Sequence, residues 1–272
     1  SSPSRGLGDV YKRQALHHIF DDGWMWQLDF DDGVTSAGFV LSPQLPILGR
    51  DDENQSAESL WNKLLRKYPS IQGQFCKQER ITPFYTSGRL QRKASSFAGV
   101  GWASLPSSAY FIDPFYSPGN AHTLLGVLRL AEILTMSSHD ADVLKESLLR
   151  YQDKLHAEID FVDTLIHGSY RSFRDFPFFC VFSMFYYAAS IFSEHLYKSG
   201  QASNWSGFLH WDDERFRSIV REGYCRLVRL MNSPIRSSHD FERFQEWVGE
   251  SIQPFNLAGL CDPAKENLYP YV

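Results

Sequence analysis

The chain has no excess of basic residues: 27 Lys and Arg against 32 Asp and Glu give a formal net charge of -5. A nucleic-acid binder would show a basic stripe, so that class is excluded. Cysteine is scarce. Cys76, Cys180, Cys225 and Cys261 are separated by long, unequal gaps that fit neither a zinc site nor a disulfide framework. Reduced thiols in a cytoplasmic setting follow from that pattern. No Gly-x-Gly-x-x-Gly follows a strand, and P-loop, His-Glu-x-x-His and Gly-x-Ser-x-Gly motifs are missing. Internal repeats and low-complexity tracts are also absent. What is present is apolar and aromatic. The 272 residues are 43% hydrophobic and 22% charged, enough for a core in one large domain or two ordinary ones. With 21 Phe, 13 Tyr and 7 Trp, the chain must bury large flat groups or bind them.

The first fourteen residues, Ser1–Gln14, have neither apolar periodicity nor a signal-peptide core. They resemble the translated adapter junctions at the ends of metagenomic fragments, which implies a natural chain beginning near Ala15 and cut on its N-terminal side. Residues 16–41 read as β structure. Trp24, Trp26, Leu28 and Phe30 alternate with more polar residues, the period of a half-buried strand. Asp31-Asp32-Gly33 makes a turn, and 34–41 returns as the second strand of a hairpin. A loop rich in Pro and Asp spans 43–55. Ser56 then caps a helix to about Tyr68, with Leu60, Trp61, Leu64 and Leu65 at helical spacing and Pro69 ending it. Residues 89–110 predict one or two further strands, broken at 99–102.

The segment Phe111–Asn120 is dense in turn residues and leads into a helix over Ala121–Met136 that is apolar nearly all round, so burial is expected. Beyond Ser138 the periodicity predicts helices over about 141–167, 176–199, 212–232 and 238–253. The composition shift near residue 137 divides the chain into a non-native or disordered terminus (1–14), a sheet region with a loop and helix (15–137) and a helical region (138–272). Phe176–Phe192 is strongly apolar, but Pro177, Ser183, Ser190 and two tyrosines, at the short limit of bilayer length, argue for a core or pocket helix rather than a membrane span.

The acidic pairs Asp21-Asp22 and Asp31-Asp32 sit at turns, and turn chemistry explains them better than a carboxylate dyad. His17-His18 lacks a third ligand at metal spacing. His210-Trp211-Asp212-Asp213 reads as a helix N-cap region. The 111–120 loop carries more chemistry. Gly119 and the prolines allow backbone to approach a ligand without side-chain bulk. The helix that follows points free N–H groups and a partial positive charge at whatever lies above the loop, which suits the negative charge of a reduced flavin. A plain strand–turn–helix connection fits the same residues.

Asp113-Pro114-Phe115-Tyr116-Ser117-Pro118-Gly119, followed by His122-Thr123-Leu124-Leu125, resembles the second flavin-binding motif of the flavin-dependent halogenases and related FAD-dependent oxidoreductases. Gly23-Trp24-Met25-Trp26 is similar to that family's Trp-x-Trp strand motif, about ninety residues upstream. The resemblance covers about residues 16–260 and implies an α+β fragment of a FAD/NAD(P)-binding flavoprotein monooxygenase-like fold: an antiparallel sheet region followed by an all-helical C-terminal region. It implies FAD as cofactor, held by Asp113, Pro114, Ser117, Gly119 and Asn120, and a substrate pocket bearing Trp24 and Trp26. It also implies an aromatic or otherwise apolar small-molecule substrate and a flavin reductase as partner.

Three positions depart from the tryptophan-halogenase and hydroxylase patterns. Leu28-Asp29 stands where Ile-Pro ends the strand motif, Tyr116 where a catalytic Glu precedes the loop Ser, and Pro106-Ser107 where relatives carry Gly-Asp. Pro118 also lacks an N–H that a halide site would use. FAD-dependent oxidation or monooxygenation is therefore expected, rather than halogenation of free tryptophan, and no catalytic acid or base is assigned. The family's Rossmann fingerprint would lie upstream of Ala15, so the chain reads as a C-terminal fragment, inactive by itself. Two other readings compete: a flavin-dependent reductase of an unsaturated lipid or isoprenoid, and a non-enzymatic helical binding protein.

Overall fold

The computed structural model describes residues 15–42, 56–137, 140–262 and 264, so Ser1–Gln14 and the 43–55 loop lie outside the described residues. The chain forms two compact units, Ser1–Arg89 and Leu90–Val272.

In the first unit, β1 (Ala15–Phe20), β2 (Gly23–Asp29) and β3 (Thr35–Leu41) form an antiparallel meander with Trp24 opposite Val40 and Trp26 opposite Gly38. The expected hairpin is present, with a third strand before it. At the second turn Asp32 Oδ1 accepts the Val34 N–H at 3.0 Å, as turn chemistry does, whereas the Asp22 side chain at the first turn forms an ion pair with Lys67 at 2.5 Å. Alternation predicted a single covered face, yet both are covered around Trp24 and Met25. Phe20, Met25, Phe39 and Leu41 pack on α1 (Ala57–Lys67) and α2 (Pro69–Phe75), through Leu65 and Ile71, while Trp24 and Trp26 point the other way. Phe30 falls past the end of β2 and is exposed, because the chain has already entered the turn. Ser56 caps α1 by accepting the Ser59 N–H at 3.1 Å. Pro69 both ends α1 and opens α2 at its first turn, where a missing N–H costs nothing.

In the second unit the expected strands between 89 and 110 shrink to two-residue pieces: β4 (Arg92–Lys93), β5 (Ala98–Gly99), β6 (Trp102–Ala103) and β7 (Tyr110–Phe111), with a short α3 (Pro106–Ala109) before β7. Helices follow as α4 (Pro118–Ser137), α5 (Ala141–Ser172), α6 (Phe176–Lys198), α7 (Glu214–Asn232) and α8 (Ser238–Ile252). Asp140, Asp213 and Ser237 cap three of them through side-chain oxygens. The aromatic helix α6 sits among α5, α7 and α8. Its Phe178, Phe182 and Phe185 meet Val162, Leu165, Phe216, Val220, Phe244 and Val248 in the main core. By length and composition α6 could cross a bilayer, but its inner face is filled by this core.

Two expectations about α4 need correction. It starts at Pro118, not Ala121, since proline's fixed φ suits the first helical position, and Pro118-Gly119-Asn120 thus form its first turn. Nor is it buried all round. Leu124, Val127, Leu128 and Leu134 are exposed, while the buried side carries His122 and Arg129.

Candidate functional site: a latched loop and a buried carboxylate junction

The loop between β7 and α4 is built inward from its polar groups. Asp113 Oδ1 accepts the Phe115 N–H at 2.9 Å, closing a local turn, and Oδ2 accepts the Tyr170 hydroxyl at 2.6 Å. Ser117 donates its N–H to the Pro114 carbonyl at 2.8 Å and takes φ 52°, a left-handed conformation that the surrounding contacts must hold. Phe115 is buried among Tyr116, Tyr170, Phe173 and Phe179. Tyr116 stacks on Tyr186 with ring centres 4.1 Å apart, and its hydroxyl lies 2.7 Å from Ser169 Oγ. Tyr186 donates to the Tyr116 carbonyl at 2.9 Å. Burial pushes the Tyr116 and Tyr186 phenols far above their ordinary range, so both stay protonated. Side chains of α5 and α6 thus latch the loop in one conformation.

Of the residues singled out in the sequence, the structure gathers Asp113, Pro114, Ser117, Gly119 and Asn120 at this corner. Asp113 faces inward and holds the loop, whereas Pro114, Ser117, Gly119 and Asn120 are exposed. Among the described residues, a Cβ built on Gly119 meets nothing within 4 Å. Trp24 and Trp26 lie in the other unit, on β2. Trp24 is 1% exposed, with the His17 ring edge-on at 5.0 Å. Burial lowers the His17 pKa, with the His18 charge adding to it. Trp26 lies across Gly38, where a Cβ would stand 2.1 Å from its ring, so only glycine admits this indole. Among the described residues no three His, Cys, Asp or Glu side chains gather as a metal site.

Sequence reasoning missed the most polar feature of the second unit. Glu158 of α5 is fully buried and every lone-pair direction is used. Arg129 grips it with two 2.7 Å bonds, His122 Nε2 donates at 2.9 Å, and the Phe208 N–H donates at 2.8 Å. Arg129 is also tied to the Asn204 and Ser206 carbonyls, each at 2.8 Å. Tyr110 places its hydroxyl 2.6 Å from His122 Nδ1, and the Phe208 ring stacks on His122 at 4.3 Å. Burial by itself would raise the Glu158 pKa; the His122 and Arg129 hydrogen bonds outweigh it and hold the carboxyl down to about 2. Burial pushes the Tyr151 phenol, close by, up to about 12. The junction is fully buried and its carboxylate saturated, so it holds structure rather than turning over substrate. Its effect is to pin α4, through His122, one turn from Gly119. The signal was present: His122 and Arg129 are seven apart, on one face of a helix whose opposite face carries Leu124, Val127, Leu128 and Leu134.

No family model matches the chain. It is 27% identical over 225 residues to the monodechloroaminopyrrolnitrin halogenase PrnC of Pseudomonas fluorescens, covering 81% of this chain and 37% of that protein. It is 27% identical over 173 residues to the tetracycline 7-halogenase of Kitasatospora aureofaciens, covering 60% and 30%. The crystal structure of halogenase PltM matches with a TM-score of 0.77 and 21% identity, over 92% of this chain and 54% of that one. PltM in complex with phloroglucinol and FAD matches with a TM-score of 0.75 and 21% identity, over 92% and 53%. The chain spans about a third of the length of the curated relatives it matches and about half of the solved chain. The relatives that this chain matches are halogenases, one of them named a flavin-dependent halogenase and one solved with FAD bound.

Proposed function

We propose that this chain is part of a FAD-dependent, halogenase-like oxidoreductase acting on an aromatic or otherwise apolar small molecule. The observation that carries the reading is the first turn of α4. Gly119 there has open space where a Cβ would stand, no left-handed φ that would call for glycine, and a rigid loop behind it. None of the described residues requires a glycine at this position, whereas a flat ligand passing over the helix end would. The residues fit such a group. Pro118 has no N–H, so the exposed backbone of Gly119 and Asn120 supplies the first donors, at the positive end of a 20-residue helix. Pro114 and Ser117 flank that end, and the Asp113–Tyr170 bond keeps the loop from folding over it. FAD, when bound, supplies the redox chemistry and presents its negatively charged ring edge to these donors.

Tyr116, where tryptophan halogenases carry Glu, is stacked, hydrogen-bonded and protonated, so it supplies no base. A substrate other than free tryptophan fits this better. Trp24 and Trp26 are the candidate substrate-contacting side chains, and a flavin reductase is the matching partner. The thiol pattern, with all four cysteines unpaired, supports a cytoplasmic setting. The relatives favour this reading over a lipid or isoprenoid reductase and over a non-enzymatic binding protein.

The test is Gly119→Val in the full-length gene product. The protein should fold with little change in Tm, because a Cβ at this position meets none of the described residues, yet lose flavin in gel filtration as read by the flavin-to-protein absorbance ratio. Wild-type flavin occupancy in that variant would remove the loop as the cofactor site.

A further inference from the structure

Helix α7 holds five arginines, no lysine and only two glutamates, in a chain whose net charge is -5. Two of those arginines, Arg226 and Arg229, line a cleft of about 420 Å³ between α7 and α8, with Arg243 on the α8 wall. The two carboxylates of the cleft are already engaged. Glu222 Oε1 accepts the Arg226 Nε–H at 2.8 Å and has Arg229 Nη2 at 3.7 Å. Asp240 Oδ2 accepts the N–H and the hydroxyl of Ser237, at 2.9 and 2.8 Å, and so closes the capping box of α8. The guanidiniums are not saturated. Arg226 has one edge on Glu222 and its face over the Trp247 ring at 4.3 Å, which fixes its plane. Its Nη1 and Nη2 make no hydrogen bond among the described residues. Arg229 makes one, from Nε to the Cys225 carbonyl at 3.3 Å. Arg243 makes none among them, although its charge is felt by Asp240. Leu230 and the buried Phe244 give the cleft an apolar floor.

We propose that this cleft binds a small organic phosphate, a dianionic head on an apolar body. Three guanidinium charges meet two carboxylates there, and both carboxylates are spent on their own neighbours, so a positive charge with free N–H donors is left facing the opening. The planar fork of arginine matches phosphate oxygens in pairs, and a charge-assisted bond of this kind is the strong kind. The forks come from two helices on opposite walls. A phosphate has three terminal oxygens to meet both, whereas a carboxylate has two in one plane. The volume is that of a small-molecule site, and the Phe244–Leu230 floor takes the ester group. The proposal stands apart from the flavin reading, because it uses no residue of the 113–120 loop.

The test is calorimetric titration of phenyl phosphate, inorganic phosphate and benzoate into the full-length gene product. Phenyl phosphate should saturate one site with Kd below about 1 mM, the scale that two or three charge-assisted contacts support. Inorganic phosphate and benzoate should each bind at least about tenfold more weakly, the first for want of a body and the second for want of a dianionic head. Arg226→Gln and Arg243→Gln should each weaken phenyl phosphate by at least about tenfold. Arg215→Gln, exposed on the same helix and outside the cleft, should leave it unchanged. Arg243 is exposed and bonded to nothing described, so its variant should fold with an unchanged Tm and keeps the test open if Arg226→Gln does not fold. Any of these results overturns the proposal: no saturable binding of phenyl phosphate, full binding in Arg243→Gln, an equal loss in Arg215→Gln, or benzoate or inorganic phosphate binding as tightly as phenyl phosphate. Co-sedimentation with phosphatidic acid vesicles that phenyl phosphate does not displace would also overturn it, by making the ligand a lipid headgroup.

Discussion

Glu158→Gln keeps the size and one acceptor of the buried carboxylate while removing its charge. The magnitude follows from the proton affinity of the site. The folded carboxyl titrates at about 2 instead of the ordinary 4.5. At about 1.4 kcal/mol per tenfold change, that corresponds to about 3 kcal/mol of stability held by the ionised form. The group is completely buried, so solvent does not screen the effect away. The sign is set by the depressed pKa: the contribution is full above the unfolded value of 4.5 and is lost as pH falls toward about 2. Urea denaturation followed by tryptophan fluorescence should therefore show Glu158→Gln less stable than wild type by about 3 kcal/mol at pH 7, with the gap reduced to about half near pH 3. Comparing variant with wild type at each pH cancels the other carboxylates. Equal stabilities at pH 7, or a gap that does not shrink with acid, would refute the assignment of charge to Glu158.

Two further substitutions probe the other packed features. Trp24→Ala removes a side chain that is 1% exposed and should cost about 3–5 kcal/mol in thermal or urea unfolding; a cost under about 1 kcal/mol would mean the indole is not packed as described. Tyr170→Phe takes the hydroxyl from Asp113 Oδ2 and should cost about 1.5–3 kcal/mol and speed proteolysis at the 113–117 loop; unchanged stability together with unchanged cleavage would show that the latch does not need this bond.

The long helices were legible because their signals are local. Ser56, Asp213 and the apolar spacings of α1 and α7 name their own boundaries, and the hairpin announced itself through period two and Asp-Gly. Between residues 92 and 111 the shape is set from a distance instead. Gln152 of α5 accepts the Phe97 and Ala98 N–H groups through one side-chain oxygen, and the Tyr151 hydroxyl bonds the Ser104 carbonyl, so a helix side chain stands where a neighbouring strand was expected. Periodicity cannot see such a partner. The loop's membership in a candidate site was legible from its turn residues, but not its latch, since Ser169, Tyr170 and Tyr186 come more than fifty residues later. Burial of α4 was misjudged because hydropathy counts leucines without asking which face holds the one Arg–Glu pair. The Glu158 junction was missed for the same reason: its members are single polar residues on separate elements, and only folding makes them a group.

That junction also imposes an order on synthesis. Arg129 precedes Glu158 by 29 residues and Phe208 follows by another 50. At about 5–20 residues per second, seconds separate the emergence of the cation, its carboxylate and the N–H that completes the set. Until Glu158 has left the ribosome, the charged side of α4 is held in water by its unpaired arginine. The four-part set around Glu158 can therefore be completed only after α6 has been made, since Phe208 follows that helix in the chain.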